Sequence, residues 1–410
     1  MAHNITVKQL ELQRANAAIT LNSSQMSRLP NLDASVNQQW NFGRAQTVTG
    51  LYENHENRSQ STTGFNIGTS IPLFTGFRIP NEIARDRIDL QAATQSLYRA
   101  KDDISLNVAV LFLQVLFNKE LLKISSEQIA LTQEQLTKTQ ALVDAGKVPS
   151  AQLADVRAQL ANDRVSEVQA ENNVKNALLD LAQALEIENF NDFEIRIPDL
   201  ENPSEIHQNA DRIYSVALQT KPAIKEQELR IESAQKTLKI AKAGYFPTLN
   251  FNAGYGNNYF YLYNNNALNP SFSNQWKNNA SEYIGLSLSI PVFNRFQVRN
   301  SVRSSQLNIE NQRLALETAK KTLFKEIQTA FLNATAAREK FNAAETATAT
   351  TTEAFRLAQD KYEAGKSTTF ELNEARTRWL RSRSDAVQAK YDYIFRSKIL
   401  DFYEGKKLIL

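Results

Sequence analysis

The sequence predicts a mainly α chain with a small β part, built as a tandem repeat of strand, strand, long helix, helix. Three observations carry this. Ser70-Ile71-Pro72-Leu73-Phe74 returns as Ser289-Ile290-Pro291-Val292-Phe293, and Ala145-Gly146-Lys147 returns as Ala364-Gly365-Lys366, both at an offset of 219 residues. Phe112-Leu113 and Glu120 return at the same offset as Phe331-Leu332 and Glu339, so the duplication is gapless and describes two copies of one unit. From Arg78 to Ala145, and from Gln297 to Ala364, there is no glycine, and proline occurs only at Pro80.

The first repeat is read as residues 1–186, with a helix over 5–28, strands over 31–42 and 64–74, and helices over 79–145 and 150–185. The second is read as 222–410, with a helix over 222–243, strands over 248–260 and 283–293, and helices over 297–364 and 367–403. Residues 187–221, with Pro198 and Pro203, form a linker and a small equatorial-type segment packed beside the hairpins. The opening helix has its counterpart in Pro222–Gly244, but the second copy carries a helical lead-in that the first lacks. A natural N terminus with an export signal is therefore expected upstream of Met1.

Each strand alternates with period two. Leu32, Ala34, Val36, Trp40 and Phe42 oppose Asn31, Asp33, Ser35, Asn37, Gln39 and Asn41. After a polar stretch from Gly43 to Thr63, Phe65, Ile67, Ile71 and Leu73 alternate with Asn66, Gly68 and Ser70. Leu249, Phe251, Ala253, Tyr255 and Tyr259 repeat the plan, as do Ile284, Leu286, Leu288, Ile290 and Val292. Each strand has about the ten residues that cross a bilayer as a tilted strand. Alternation also fits a hairpin on a water-soluble core. The aromatic crowd at Tyr255, Tyr259, Phe260, Tyr261 and Tyr263, with Trp276 and Tyr283 nearby, favours membrane rims. The Asn-rich stretch Asn264 to Asn279 is read as an exposed loop.

The long helices keep heptad spacing. Ile83, Leu90, Leu97, Ile104 and Leu111 form one seam, and Val108, Val115, Leu122, Ile129, Leu136 and Val143 another. The second copy shows Val302, Ile309, Leu316 and Leu323, then Ile327, Ala334, Phe341, Phe355 and Tyr362. A seven-residue repeat makes helices supercoil, and the change of seam suits a helix touching partners on more than one side. About 66 residues of helix span roughly 100 Å. Gly146 and Gly365 are expected to cap these helices. Ser150, and Thr368 or Thr369, can open the return helices, which pack through Leu153, Leu160, Leu372 and Trp379.

Composition narrows the function. A net charge of +3 argues against a nucleic-acid partner. Without cysteine there is no thiol catalysis, thiolate metal site or disulfide. His3, His55 and His207 lack partners at ligand spacing, so no metal, cofactor or triad chemistry is expected, and the chain is not read as an enzyme. No run of 18 apolar residues offers a transmembrane helix. Four lipid-length strands cannot close a barrel, and an open sheet cannot sit in hydrocarbon with unpaired edges. Chains must pool strands: two give eight, three give twelve.

With these motifs in place, the chain resembles the TolC family of outer-membrane efflux and export proteins. The likeness rests on the segments Ile71–Phe77 and Ile290–Phe296 before each long helix. It rests also on Leu142-Val143-Asp144-Ala145-Gly146 followed by Leu153, and on Lys361-Tyr362-Glu363-Ala364-Gly365 followed by Leu372. The resemblance implies a homotrimer with a 12-stranded transmembrane β-barrel, set in outer-membrane lipid of a Gram-negative bacterium. That barrel would be continuous with an α-helical coiled-coil barrel in the periplasm. It implies the exit duct of a tripartite multidrug efflux or type I secretion system. The conduit would be passive, driven by an inner-membrane RND or ABC transporter through a periplasmic adaptor (membrane fusion protein).

The same likeness assigns adaptor docking to Ala145, Gly146, Lys147, Ala364, Gly365 and Lys366, and a periplasmic gate to Tyr362, Glu371 and Glu374. Ser367 stands where the family often has arginine, and Gln152 where it often has an acid. A gate shut by that ionic network is not expected. The rival reading is a soluble periplasmic coiled-coil scaffold or adaptor, although such adaptors usually carry one hairpin rather than two in tandem.

Overall fold

The computed structural model describes residues 4–49, 52–57, 59–189, 193–196, 209–263 and 269–406. In chain order the elements are α1 (Ile5–Met26), β1 (Asp33–Asn41), β2 (Arg44–Thr49), β3 (Tyr52–Asn57), β4 (Gln60–Phe74), α2 (Arg78–Asp144) and α3 (Ser150–Ala184). They continue with α4 (Ala210–Thr220), α5 (Pro222–Ala243), β5 (Thr248–Leu262), α6 (Phe272–Asn278), β6 (Ser281–Ser289), α7 (Gln297–Glu363) and α8 (Thr369–Tyr403). Two compact units cut across the sequence repeats. One comprises Met1–Arg14, Ala92–Glu228 and Ala315–Leu410; the other comprises Ala15–Gln91 and Leu229–Leu314.

The second of these units holds an antiparallel sheet in the order β1-β4-β5-β6. Pairing of Val36 with Phe65, Ile67 with Tyr255, and Ala253 with Ile284 puts the apolar residues of all four strands on one face. The other face carries Asn66, Gly68, Asn252 and Ser287. The two outer strands are exposed along their whole length. Ile284 keeps 80% of its surface and Val36 66%. The polar stretch after Gly43 is in part a hairpin, β2 with β3, and β4 begins at Gln60.

The aromatics divide between the two faces, and the loop expectation needs correction. Tyr283 is not on the face of the aromatic crowd: it pairs with Gly254 on the polar face. A Cβ at Gly254 would lie 2.7 Å from the Tyr283 ring, so the ring lies against that glycine. Phe260, paired with Thr62, shares the polar face. Nor is Asn264–Asn279 wholly a loop. Residues 264–268 lie outside the described residues, and the remainder contains α6, capped by Ser271 and almost completely burying Gln275. The asparagines masked that cap signal. Gln275 bonds both the N–H and the C=O of Phe260, each at 2.9 Å, and Asn269 does the same for Leu262 at 2.7 and 2.9 Å. These amides replace a strand partner where β6 has ended. Trp276 meets Phe65 edge-on at 5.3 Å.

The helical unit packs as two hairpins, α2 with α3 and α7 with α8. Val115, Ala177 and Leu181 form one cluster, against which Phe193 and Ile195 of the linker pack. Ala210, Ile213 and Ala217 of α4 join Leu323, Ile327, Ala334 and Leu400 in another. Residues 190–192 and 197–208 of the linker, including His207, lie outside the described residues, as does His3. By length and composition α2 is apolar enough to cross a membrane. The absence of charge between Asp103 and Lys119 outweighs the Asn107, Gln114 and Asn118 that interrupt the apolar run. Its Leu113 and Leu116 are instead buried against Ile394 of α8.

The heptad seams are only partly internal. Leu97 and Val115 are fully buried, but Leu122, Ile129, Leu136 and Val143 remain half-exposed. Their places inside are taken by Gln128, Thr132 and Thr139.

Lys221 closes α4. Its ammonium donates to the Phe402 carbonyl at 2.8 Å and lies 3.1 Å from the Phe402 ring centre. Burial drives it down to about 8, against the pull of Asp102 and Asp103. Its folded value thus lies below its unfolded value, so the unfolded chain binds more protons between the two. Stability should rise with pH from about 8 toward the free-lysine range near 10.4. Tyr403, pushed up to about 12 by burial and Glu326, opposes this only above about pH 10. Lys221→Met should flatten the rise between about pH 7.5 and about pH 9.5 in thermal melts of the detergent-solubilised protein.

Candidate functional site at the helix turns

The two glycine turns are built alike. Gly146 (φ 68°) and Gly365 (φ 69°) occupy the left-handed region. Gly146 N–H donates to Val143 at 2.9 Å and Lys147 N–H to Leu142 at 2.9 Å; Gly365 N–H donates to Tyr362 at 3.0 Å and Lys366 N–H to Lys361 at 2.9 Å. Each is a Schellman cap, satisfying the last carbonyls of a long helix. No atom lies within 4 Å of a Cβ built at either glycine, so backbone conformation alone demands glycine there. Ala145, Lys147, Ala364 and Lys366 flank them and are exposed.

The return helices start differently. Ser150 does not cap α3: Pro149 holds the cap position, without a side-chain bond, and Ser150 is the first helical residue. Thr368 caps α8 in a reciprocal box with Glu371, so α8 starts at Thr369 rather than 367. The Glu371 carboxylate accepts from Ser367 Oγ at 2.6 Å and Thr368 N at 3.1 Å. The Ser367 bond, then the Thr368 backbone bond, hold its acidity below the usual glutamate range. Glu374 pairs with Arg378 one turn on. Tyr362 is half-exposed, facing a cleft of about 860 Å³ between the hairpin ends. Leu131, Leu142, Phe355, Gln152 and Arg376 also line that cleft. Lys138 bridges it from α2, reaching Glu134 at 3.0 Å and Glu363 of α7 at 3.3 Å.

The sequence reading missed a deeply buried ion pair. Arg376 of α8 reaches Asp163 of α3 at 3.1 Å, and both are over nine-tenths buried. The same guanidinium bonds Thr132 of α2, and Gln159 Nε2 donates to the other Asp163 oxygen at 2.8 Å. Three helices are thereby fastened at one point, above the turns where Ser367 and Gln152 form no ionic link. Desolvation lowers the Arg376 pKa, and Asp163 resists that shift. The signal was present: Asp163 continues the buried series Leu153, Val156, Leu160, and Arg376 follows Leu372 by four. A charged residue on a packing seam should be sought across the seam.

Two long helical hairpins in tandem are thus joined, along the chain, to a sheet that is apolar on one face. The chain belongs to the outer membrane efflux protein family, whose profile matches residues 2–186 and 213–403. It is 23% identical over 302 residues to the outer membrane protein TolC of Escherichia coli K12, covering 70% of this chain and 58% of that protein. The chain thus spans less than two thirds of that relative's length. Its fold is similar to the crystal structure of CusC, with TM-score 0.80, 16% identity, and coverage of 99% of this chain and 90% of the other. The Campylobacter jejuni CmeC outer membrane channel gives TM-score 0.77 at 18% identity, covering 99% and 84%.

Arg376→Met strands a buried carboxylate and should destabilise the helical unit by about 3–5 kcal/mol, read as a lower thermal midpoint. Asp163→Leu with Arg376→Met should recover most of that loss; no recovery would mean Asp163 is satisfied without Arg376.

Proposed function

We propose that the protein is the outer-membrane exit duct of a tripartite efflux or type I secretion system. It is a passive conduit that catalyses no reaction. The observation that carries this reading is the sheet. Among the described residues both edges are uncovered and the apolar face is largely open, although α6 meets it at Phe65 and Tyr259; a soluble scaffold would have to bury these surfaces. Strand directions alternate along β1-β4-β5-β6, so β6 of one copy can meet β1 of the next antiparallel. Both edge strands are nine residues long. Three copies close twelve strands, with the apolar face toward lipid and the polar face toward water. The half-exposed seam Leu122, Ile129, Leu136 and Val143 supplies helix-to-helix contact between copies.

In this reading the turns at Ala145, Gly146, Lys147, Ala364, Gly365 and Lys366 dock a periplasmic adaptor. That adaptor links the duct to an RND or ABC transporter of the inner membrane, which supplies the energy. TolC of Escherichia coli is named as an outer membrane protein and CmeC as an outer membrane channel, which supports the location. Tyr362, Glu371 and Glu374 narrow the periplasmic mouth, where ionised carboxylates from three copies favour cations.

Cysteine cross-linking tests the assembly, since the chain has no cysteine of its own. Asn37→Cys in β1 with Ser287→Cys in β6, scanned by two residues along each strand, should give a closed covalent trimer on oxidation. Bonds only within a chain, or none at any register, would defeat the proposal. A separate test addresses the mouth. Glu371→Gln with Glu374→Gln keeps the α8 capping box, which accepts glutamine. It should reduce cation selectivity in planar bilayers without altering assembly, and unchanged selectivity would remove these carboxylates from the gate.

A further inference from the structure

The four places where helix meets sheet lie at one rim, and their chemistry differs from that of the opposite rim. The segments are 27–33, 75–82, 242–248 and 290–299. They carry Arg28, Arg78, Lys242, Arg295 and Arg299 against only Asp33 and Glu82. Arg78 is paired with Glu82 at 3.2 Å, while Arg28, Lys242, Arg295 and Arg299 form no ion pair among the described residues. By sequence alone, the stretches joining β1 to β4 and β5 to β6, taken with Glu282 at the start of β6, balance: three basic residues (Arg44, Arg58, Lys277) and three acidic ones (Glu53, Glu56, Glu282).

Exposed aromatics accompany the unpaired cations. Phe74 and Phe77 meet edge-on at 5.3 Å, and Phe293 and Phe296, their counterparts, at 5.6 Å. Phe246 adds to the first pair at 6.2 Å from Phe77. Phe77 and Phe296 keep more than half their surface open, and Phe293 73%. Both Phe77 (φ 66°) and Phe296 (φ 61°) sit in the left-handed region, which disfavours bulky residues. The same costly conformation thus recurs in both copies at an exposed ring. Arg299 lies 5.7 Å over the Phe296 ring, holding a cation beside an apolar body.

Rings that sit at the boundary of hydrocarbon, with unpaired cations beside them, match the phosphate layer of a phospholipid leaflet. We propose that this rim is a selective contact for anionic glycerophospholipid headgroups. Lys242, Arg295 and Arg299 bind the phosphates while the phenylalanines seat in the acyl boundary. The inference rests on the sheet being a membrane wall and adds that its two rims face different headgroup chemistry.

The test reconstitutes the full chain into nanodiscs of equal phosphatidylglycerol and phosphatidylcholine, then counts lipids retained on detergent release by native mass spectrometry. The wild type should retain phosphatidylglycerol over phosphatidylcholine by at least about fivefold, the worth of one basic contact. Lys242→Gln with Arg295→Gln and Arg299→Gln should bring the ratio near one, with the oligomer intact on native gels, whereas Lys277→Gln at the other rim should leave it unchanged. A wild type without preference, or a triple variant that keeps it, overturns the inference alone. A chain that never enters the discs overturns the membrane reading and this inference with it.

Discussion

The described residues leave open both edges of a sheet with one apolar face, and much of the structure answers to that. Edge strands expose rows of backbone donors and acceptors that need partners. Within the chain, β5 solves the problem locally: beyond the end of β6, Gln275 and Asn269 occupy its free backbone groups with side-chain amides. No such substitute covers the outer edges of β1 and β6 among the described residues. Equal edge length, alternating direction and a largely exposed apolar face suit a closed ring of copies, where no edge is left.

The helical unit poses a related problem of specificity. Heptad seams of similar apolar residues can slide by one repeat at little cost. Here, among buried apolar residues such as Leu153, Val156, Leu160 and Leu372, a set of buried positions is polar: Gln128, Thr132, Asp163 and Arg376. A buried arginine finds its carboxylate and hydroxyl in one register only, whereas any slip leaves charges stranded in a low-dielectric seam. The knot therefore fixes how α8 lies on α3 and α2. The apolar residues it displaces, such as Leu136 and Val143, are left half-exposed for contacts outside the chain.

The repeat, the strands and the long helices were legible because each leaves a periodic trace over many residues. An alternation of period two or a heptad survives single exceptions, and the glycine turns stood out against stretches without glycine. What escaped was chemistry carried by one residue at a time. Tyr283 was grouped with other aromatics by proximity in sequence, yet one step of strand parity puts it on the opposite face, where Gly254 leaves room for its ring. The α6 turn hid in an asparagine-rich stretch because its stabilising contacts, Gln275 to the Phe260 backbone and Trp276 to Phe65, reach distant strands. Asp163 and Arg376 are far apart in sequence, and pairing them requires knowing which helix faces which.

The duplication also separates what the turn requires from what each copy does with it. Gly76 and Arg295 are counterparts at the offset of 219, and both are left-handed, at φ 62° and 51°. At Gly76 a Cβ would lie 2.6 Å from the Ala243 carbonyl, so close packing against α5 demands glycine whatever the backbone angle. At Arg295 a side chain is present and exposed, so only the backbone strain remains, of the order of 1–2 kcal/mol. Glycine would relieve that strain, as it does in the first copy. A long cation held there against its conformational preference is better understood as a surface group with a counter-charge to meet than as a structural necessity of the turn.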